Sequence, residues 1–286
     1  MATAVNYDRG FEDVGGIVAL EHVNVTVPDQ RLATLFYVVG LGFTRDPYLS
    51  VGDENMWLNL GQQQIHTPTR APQVLRGHVG IVVPDLAALE ARLAMVREKL
   101  AGTRFAYARQ GDFIAATSPW GNELRCYAPA PGFGSMVLGM PYVEFTVPQG
   151  TADGIARFYQ QVFRVAARTE NGSACASVPV GPGQTLRFRE TAAPIPDYDG
   201  HHVAIYIADF SGPHRFLAQR NLITEESNRH QYRFRTLCDP DSGAPLFEIE
   251  HEVRSLTHPL WGRAFVNRNP QQTQRTYVPG RDAFCG

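Results

Sequence analysis

A short alternating pattern occurs four times in this chain, and the repetition constrains its fold more than any single residue does. The copies read Glu21-His22-Val23-Asn24-Val25-Thr26-Val27-Pro28, Gly77-His78-Val79-Gly80-Ile81-Val82-Val83-Pro84-Asp85, Pro141-Tyr142-Val143-Glu144-Phe145-Thr146-Val147-Pro148 and His201-His202-Val203-Ala204-Ile205-Tyr206-Ile207-Ala208-Asp209. Apolar residues at every second position signal a strand with one face on a core. Val23, Val25 and Val27 share one face, with His22, Asn24 and Thr26 opposite; Val203, Ile205 and Ile207 likewise oppose His202, Ala204 and Tyr206. The period is about 60 residues, too long for most solenoid units and suited to a small α+β module. His22, His78 and His202 each stand six residues before the breaker that ends their strand. A periodic histidine points to a site built between modules.

A helical segment follows each copy: Leu32 to Val39 stopping at Gly40, Leu86 to Leu100 behind Asp85 as N-cap, Ile155 to Phe163, and His214 to Gln219. Short alternating runs split by turn residues come next: Met56 to Leu60, Gln62 to His66, Phe113 to Thr117, Leu124 to Tyr127, Leu186 to Phe188, Tyr232 to Leu237 and Leu246 to Ile249. The module is strand, helix, three strands, and the fold class is α+β, four βαβββ modules. Residues 1–130 hold modules one and two, 131–251 modules three and four. Residues 252–286, with Trp261, Phe265, Tyr277 and Phe284, form an irregular tail that wraps the surface or serves as a homodimer contact.

Composition removes several function classes. The formal net charge is −2 and no basic block with interleaved aromatics exists, so nucleic acid is not an expected partner. No run approaches the roughly 18 apolar residues of a membrane span. The first nine residues lack the apolar core of a signal peptide. Cys126, Cys175, Cys238 and Cys285 form no CxxC pair and read as reduced thiols of a cytoplasmic protein. Neither a Gly-x-Ser-x-Gly elbow nor a phosphate loop occurs, and Asp239-Pro240-Asp241-Ser242-Gly243 has the wrong spacing to Glu248 for a calcium loop.

Over about residues 18–251 the chain resembles the vicinal oxygen chelate superfamily, which includes glyoxalase I, extradiol ring-cleaving dioxygenases and bleomycin-binding proteins. The resemblance rests on His22-Val23-Asn24-Val25, Phe36-Tyr37-Val38-Val39-Gly40-Leu41-Gly42-Phe43, Gly77-His78-Val79-Gly80-Ile81, Ser118-Pro119-Trp120-Gly121-Asn122, and Asp239-Pro240-Asp241-Ser242-Gly243 leading to Leu246-Phe247-Glu248-Ile249. It implies that paired modules curl into two half-barrel cavities, with metal ligands on the first and last strands of the modules.

Carried over by position, the first-strand sites are His22, His78, Tyr142 and His202; the last-strand sites are His66, Arg125, Arg187 or Arg189, and Glu248. Pairing modules one and four gives the set His22, His66, His202 and Glu248, suited to one divalent transition metal (nickel, zinc, manganese or iron). Modules two and three are then metal-free, and their arginines could face an anion. Sequential pairing leaves two incomplete sets instead. The rival carboxylate is Glu250, His230 is a candidate acid or base, and His201 points away from the cavity.

The resemblance implies a small-molecule substrate and a choice of chemistry. Four protein ligands leave two positions for vicinal oxygens, the glyoxalase-type lyase or isomerase, with Glu248 moving the proton. Three leave room for a catecholate and dioxygen, the ring-cleaving dioxygenase. A metal-free binding protein of the resistance type is the third reading.

Overall fold

The computed structural model describes residues 13–49, 52, 54–169, 174–268, 275 and 283–285. Module one comprises β1 (Ile17–Asn24), α1 (Gln30–Ala33) continuing into a π-helical turn (Thr34–Gly40), β2 (Thr44–Arg45), β3 (Asn55–Leu60) and β4 (Gln63–Pro68). Module two has β5 (Gly77–Val82), α2 (Leu86–Val96), β6 (Ala106–Gln110), β7 (Phe113–Thr117) and β8 (Glu123–Tyr127). Module three has β9 (Gly139–Pro148), α3 (Ala152–Phe163), β10 (Arg168–Thr169), β11 (Cys175–Pro179) and β12 (Thr185–Thr191). Module four has β13 (His202–Ile207), α4 (Ser211–Ala218), β14 (Ile223–Asn228), β15 (Gln231–Cys238) and β16 (Pro245–Ser255). The repeat is thus four βαβββ units, in an α+β fold.

Local chemistry sets the element boundaries. Asp29 caps α1 by accepting from the backbone N–H groups of Arg31 and Leu32, at 2.7 and 3.0 Å. Asp85 does the same for α2 through Ala87 and Ala88. Such caps satisfy N–H groups that the helix itself leaves unpaired. The structure starts α3 earlier than the apolar periodicity does, at Ala152, whose N–H bonds Glu190 Oε1 at 2.7 Å.

The modules join in two ways. Strands of modules four and one form one eight-stranded sheet, β14-β15-β16-β13-β1-β4-β3-β2, and those of three and two form the other, β10-β11-β12-β9-β5-β8-β7-β6. In each sheet the first strands of the two modules pair antiparallel at the centre, β1 with β13 and β5 with β9. Each first strand also pairs parallel with the last strand of its own module.

Helices meanwhile bring sequence neighbours together. α2 packs on the π turn of module one, where a Cβ added to Gly40 would press on Leu93 and Val96 at 3.3–3.4 Å. α3 packs on α4 and β15, with Phe158 against Phe216 and Phe234. These aromatics belong to one continuous buried cluster drawn from all four modules. Burying a side chain of that size contributes about 2–3 kcal/mol.

The tail differs from an irregular wrap in two respects. β16 continues through Glu252 to Ser255, and Val266–Arg268 (β17) pairs with Ala283–Cys285 (β18). Trp261 packs on Tyr206, and Asn267 closes onto the backbone of Gly61 through two bonds. Tyr277 and the side chain of Phe284 lie outside the described residues, as does residue segment 1–12.

Candidate metal centre

The first sheet places β1, β13 and β16 side by side, with their polar faces inward. Val23 pairs with Val203 while His22 lies opposite Ala204 and Asn24 opposite His202. His202 in turn pairs with Glu250, and Ala204 with Glu252. Two histidines and one glutamate therefore converge: His22, His202 and Glu252 each offer a ligand atom within 4.8 Å of the others. All three are buried, at 0%, 7% and 3% exposure.

The orientation of the group is set by its neighbours. Glu21 Oε2 lies 2.9 Å from His22 Nδ1, so the ring donates there and turns its Nε2 to the other side. His22 Nε2 and His202 Nε2 are buried without a hydrogen bond. Buried polar atoms are rarely left so. Glu252 Oε1 has an ionic contact with Arg254 at 2.5 Å, and its other oxygen pairs with Arg233. Arg233 also bonds Glu250 at 2.7 Å, and Arg254 pairs with Glu21. Glu21, Glu250 and Glu252 thus face two guanidiniums, leaving one surplus negative charge.

Burial opposes the charge of Glu21, but the His22 bond and the Arg254 cation bring its carboxyl down to about 2. Burial likewise keeps His202 neutral far below the ordinary imidazole range, helped by the Arg233 cation. A neutral imidazole is the form that ligates metal. Two orphaned imidazole nitrogens, a buried carboxylate beside them and a local negative surplus fit a divalent transition metal.

His66 stands beside this group, its ring 5.8 Å from that of His22. It stacks on Trp57 at 3.7 Å and its Nε2 bonds Asn55 Oδ1 at 2.6 Å, so it is not among the converging atoms. Burial, reinforced by the charges of Arg254 and Arg233, pushes it down to about 2. By register His66 faces Asn24 as Glu252 faces Ala204, so the two hold equivalent positions in their modules.

Glu248 is exposed, and its backbone carbonyl accepts from Arg76. Glu252, four residues on, has the inward place expected of Glu248; Glu250 lies between them at 3.7 Å from His202 Nδ1. His230 sits half-buried in the β14–β15 turn, bonded to Thr257 and Arg229. His201 is fully buried and bonds Asp199 at 2.6 Å.

Sequence reasoning ended the last strand at Ile249 and so missed Glu252, Arg254 and the partner Glu21. A signal was present: Phe247, Ile249, His251 and Val253 alternate with Glu248, Glu250, Glu252 and Arg254. His251 disguised it, a histidine on the apolar face whose Nε2 meets Tyr159 Oη at 2.6 Å and whose ring stacks on Phe234.

Next to the centre lies a cavity of about 450 Å³, lined by Glu21, Gln184, Tyr206, Trp261, Arg263 and Phe265 among others. Tyr206 Oη donates to Glu21 Oε1 at 3.0 Å, which places Glu21 between the cavity and His22.

No protein-family model and no curated protein matches the sequence. Solved structures do match the fold. A candidate dioxygenase from Bacillus subtilis subsp. subtilis strain 168 superposes with a TM-score of 0.57 at 15% identity, covering 85% of this chain and 87% of that one. Glyoxalase I from Zea mays gives 0.52 at 14% identity over 83% and 92%. The chain has the vicinal oxygen chelate fold, shared by proteins of different activity. Among the described residues no helix is long and apolar enough to cross a membrane.

Proposed function

We propose that the chain is a metal-dependent enzyme that engages a small organic substrate through two neighbouring oxygens, with His22, His202 and Glu252 holding the ion. The observation that carries this reading is the convergence of two buried imidazole nitrogens without a hydrogen bond on the buried Glu252 carboxylate. A divalent ion held by two histidines and one carboxylate would supply a Lewis acid with open coordination positions, the arrangement of non-haem iron oxygenases.

Within that reading, ring-cleaving dioxygenation is favoured over the glyoxalase type, because His66 is engaged by Asn55 and Trp57 rather than by the group. Arg233 and Arg254 fix the Glu252 carboxylate and limit its movement as a proton carrier. Trp57 and neutral His66 wall one side of the group with rings, and Tyr206 with Trp261 line the neighbouring cavity.

The glyoxalase type is the second reading, favoured by the register equivalence of His66 and Glu252. An oxygen electrode separates the two. Protein loaded anaerobically with iron(II) should consume oxygen when given catechol, one molecule per ring opened. Oxygen-indifferent turnover of an α-hydroxycarbonyl compound with nickel or zinc would replace this reading with the glyoxalase one. Absence of bound metal after reconstitution would leave a binding protein.

A further inference from the structure

The second sheet repeats the frame with different residues at the facing positions. β5 and β9 pair with His78 opposite Glu144 and Gly80 opposite Tyr142, as His22 and Asn24 meet Ala204 and His202. The last strands bring Arg125 beside Gly80 and Arg187 beside Glu144. The positions that hold His22, His66, His202 and Glu252 in one half-barrel thus hold His78, Arg125, Tyr142 and Arg187 in the other.

His78, Tyr142 and Arg187 converge, and Arg125 stands on the rim. Tyr142 lies across Gly80, where an added Cβ would come within 2.2 Å of its ring. Its hydroxyl meets Tyr127 Oη at 2.9 Å and His78 Nε2 at 3.3 Å. The Arg187 guanidinium stacks over the Tyr142 ring at 4.1 Å. Arg125 pairs with Glu123 at 3.0 Å on the half-exposed rim, 5.5 Å from the Phe113 ring. Glu144 is taken by Arg189 through two bonds of 2.8 and 3.2 Å, and Arg187 forms no ion pair among the described residues. Phe113, Tyr127 and Phe133 follow one another at 5.2–5.3 Å between ring centres and form an apolar wall beside Arg125.

A guanidinium without an acid, a second on the rim and hydroxyl donors between them are the parts that recognise a carboxylate. The adjoining rings extend the preference to an aromatic one. We propose that the second half-barrel binds a small aromatic carboxylate, its anionic end between Arg125 and Arg187 and its ring against Phe113 and Tyr127. The site is independent of any metal in the first half-barrel.

Isothermal titration of the full-length protein with benzoate tests this, after EDTA treatment so that carboxylate–metal binding contributes nothing. Benzoate should bind, acetate and benzamide should bind at least about tenfold more weakly, and Arg187→Gln should weaken benzoate by about tenfold or more. Arg125→Gln, on the rim, should weaken it as well and serves if Arg187→Gln unfolds. Arg187→Lys should recover part of the loss, as charge without the planar fork. No benzoate binding, equal binding of acetate or benzamide, or unchanged affinity in both glutamine variants would overturn the proposal.

Discussion

In one half-barrel the four facing positions carry His22, His66, His202 and Glu252; in the other, the register-equivalent positions carry His78, Arg125, Tyr142 and Arg187. The strands behind them pair alike, parallel within a module and antiparallel between modules. What builds the frame is the apolar face and the backbone ladder, with Val23, Val79, Val143 and Val203 buried beneath each first strand. The inward face takes little part in that packing, so its chemistry can change sign without changing the fold. One half-barrel has imidazole nitrogens and spare negative charge that suit a cation, and the other has in Arg187 a guanidinium that forms no ion pair among the described residues and suits an anion.

The largest expected effect comes from Glu252→Ala. It removes a proposed ligand and leaves Arg233 and Arg254 buried without their shared carboxylate. Breaking a buried ion pair from one side costs about 3–5 kcal/mol. Arg187→Ala, in the second half-barrel, abandons no buried acid and should cost less than about 1 kcal/mol in the same urea titration. Equal losses would erase the contrast in how the two cavities are held together.

Acid sharpens the contrast from the other side. His78 is pushed down to about 4, first by burial and then by Arg125, with Glu144 and Glu123 opposing. The folded state binds the proton less readily than the unfolded chain, whose imidazole titrates at the ordinary 6.5. His78 therefore contributes stability above pH 6.5, and the contribution is lost as pH falls from 6.5 through about 4. His78→Gln should flatten the stability profile over that window when unfolding is followed at several pH values; an unchanged slope would remove His78 as a cause.

His66→Ala should cost about 1 kcal/mol for the lost stack on Trp57. Metal content should stay at the wild-type level. A drop in metal affinity of more than about tenfold would make His66 a fourth ligand and favour the glyoxalase reading.

The fold was legible because its evidence is repetitive. Four alternating segments with a breaker and a helix behind each left little freedom, and Asp85 marked its helix by its own capping chemistry. His22 and His202 were legible for the same reason, as fixed points of a repeated strand. Glu252 was not, because His251 interrupts the apolar face, and only Tyr159 and Phe234 from other elements explain a histidine there. Nor could Glu21 be read: the β1 register shifts between Leu20 and His22, so it meets His22 and Tyr206 where strict alternation would turn it away. The orientation of His66 depends on Asn55 and Trp57 across a hairpin. Such partners belong to tertiary structure, and no local pattern announces them.

Anomalous diffraction at the iron edge, from crystals of protein reconstituted anaerobically with iron(II), tests the central claim most directly. The account predicts one ion per chain, with His22 Nε2, His202 Nε2 and a Glu252 oxygen at about 2.0–2.2 Å and no ion beside Arg125 and Arg187. No anomalous peak between the two histidines, or a peak in the arginine-lined half-barrel instead, would contradict it.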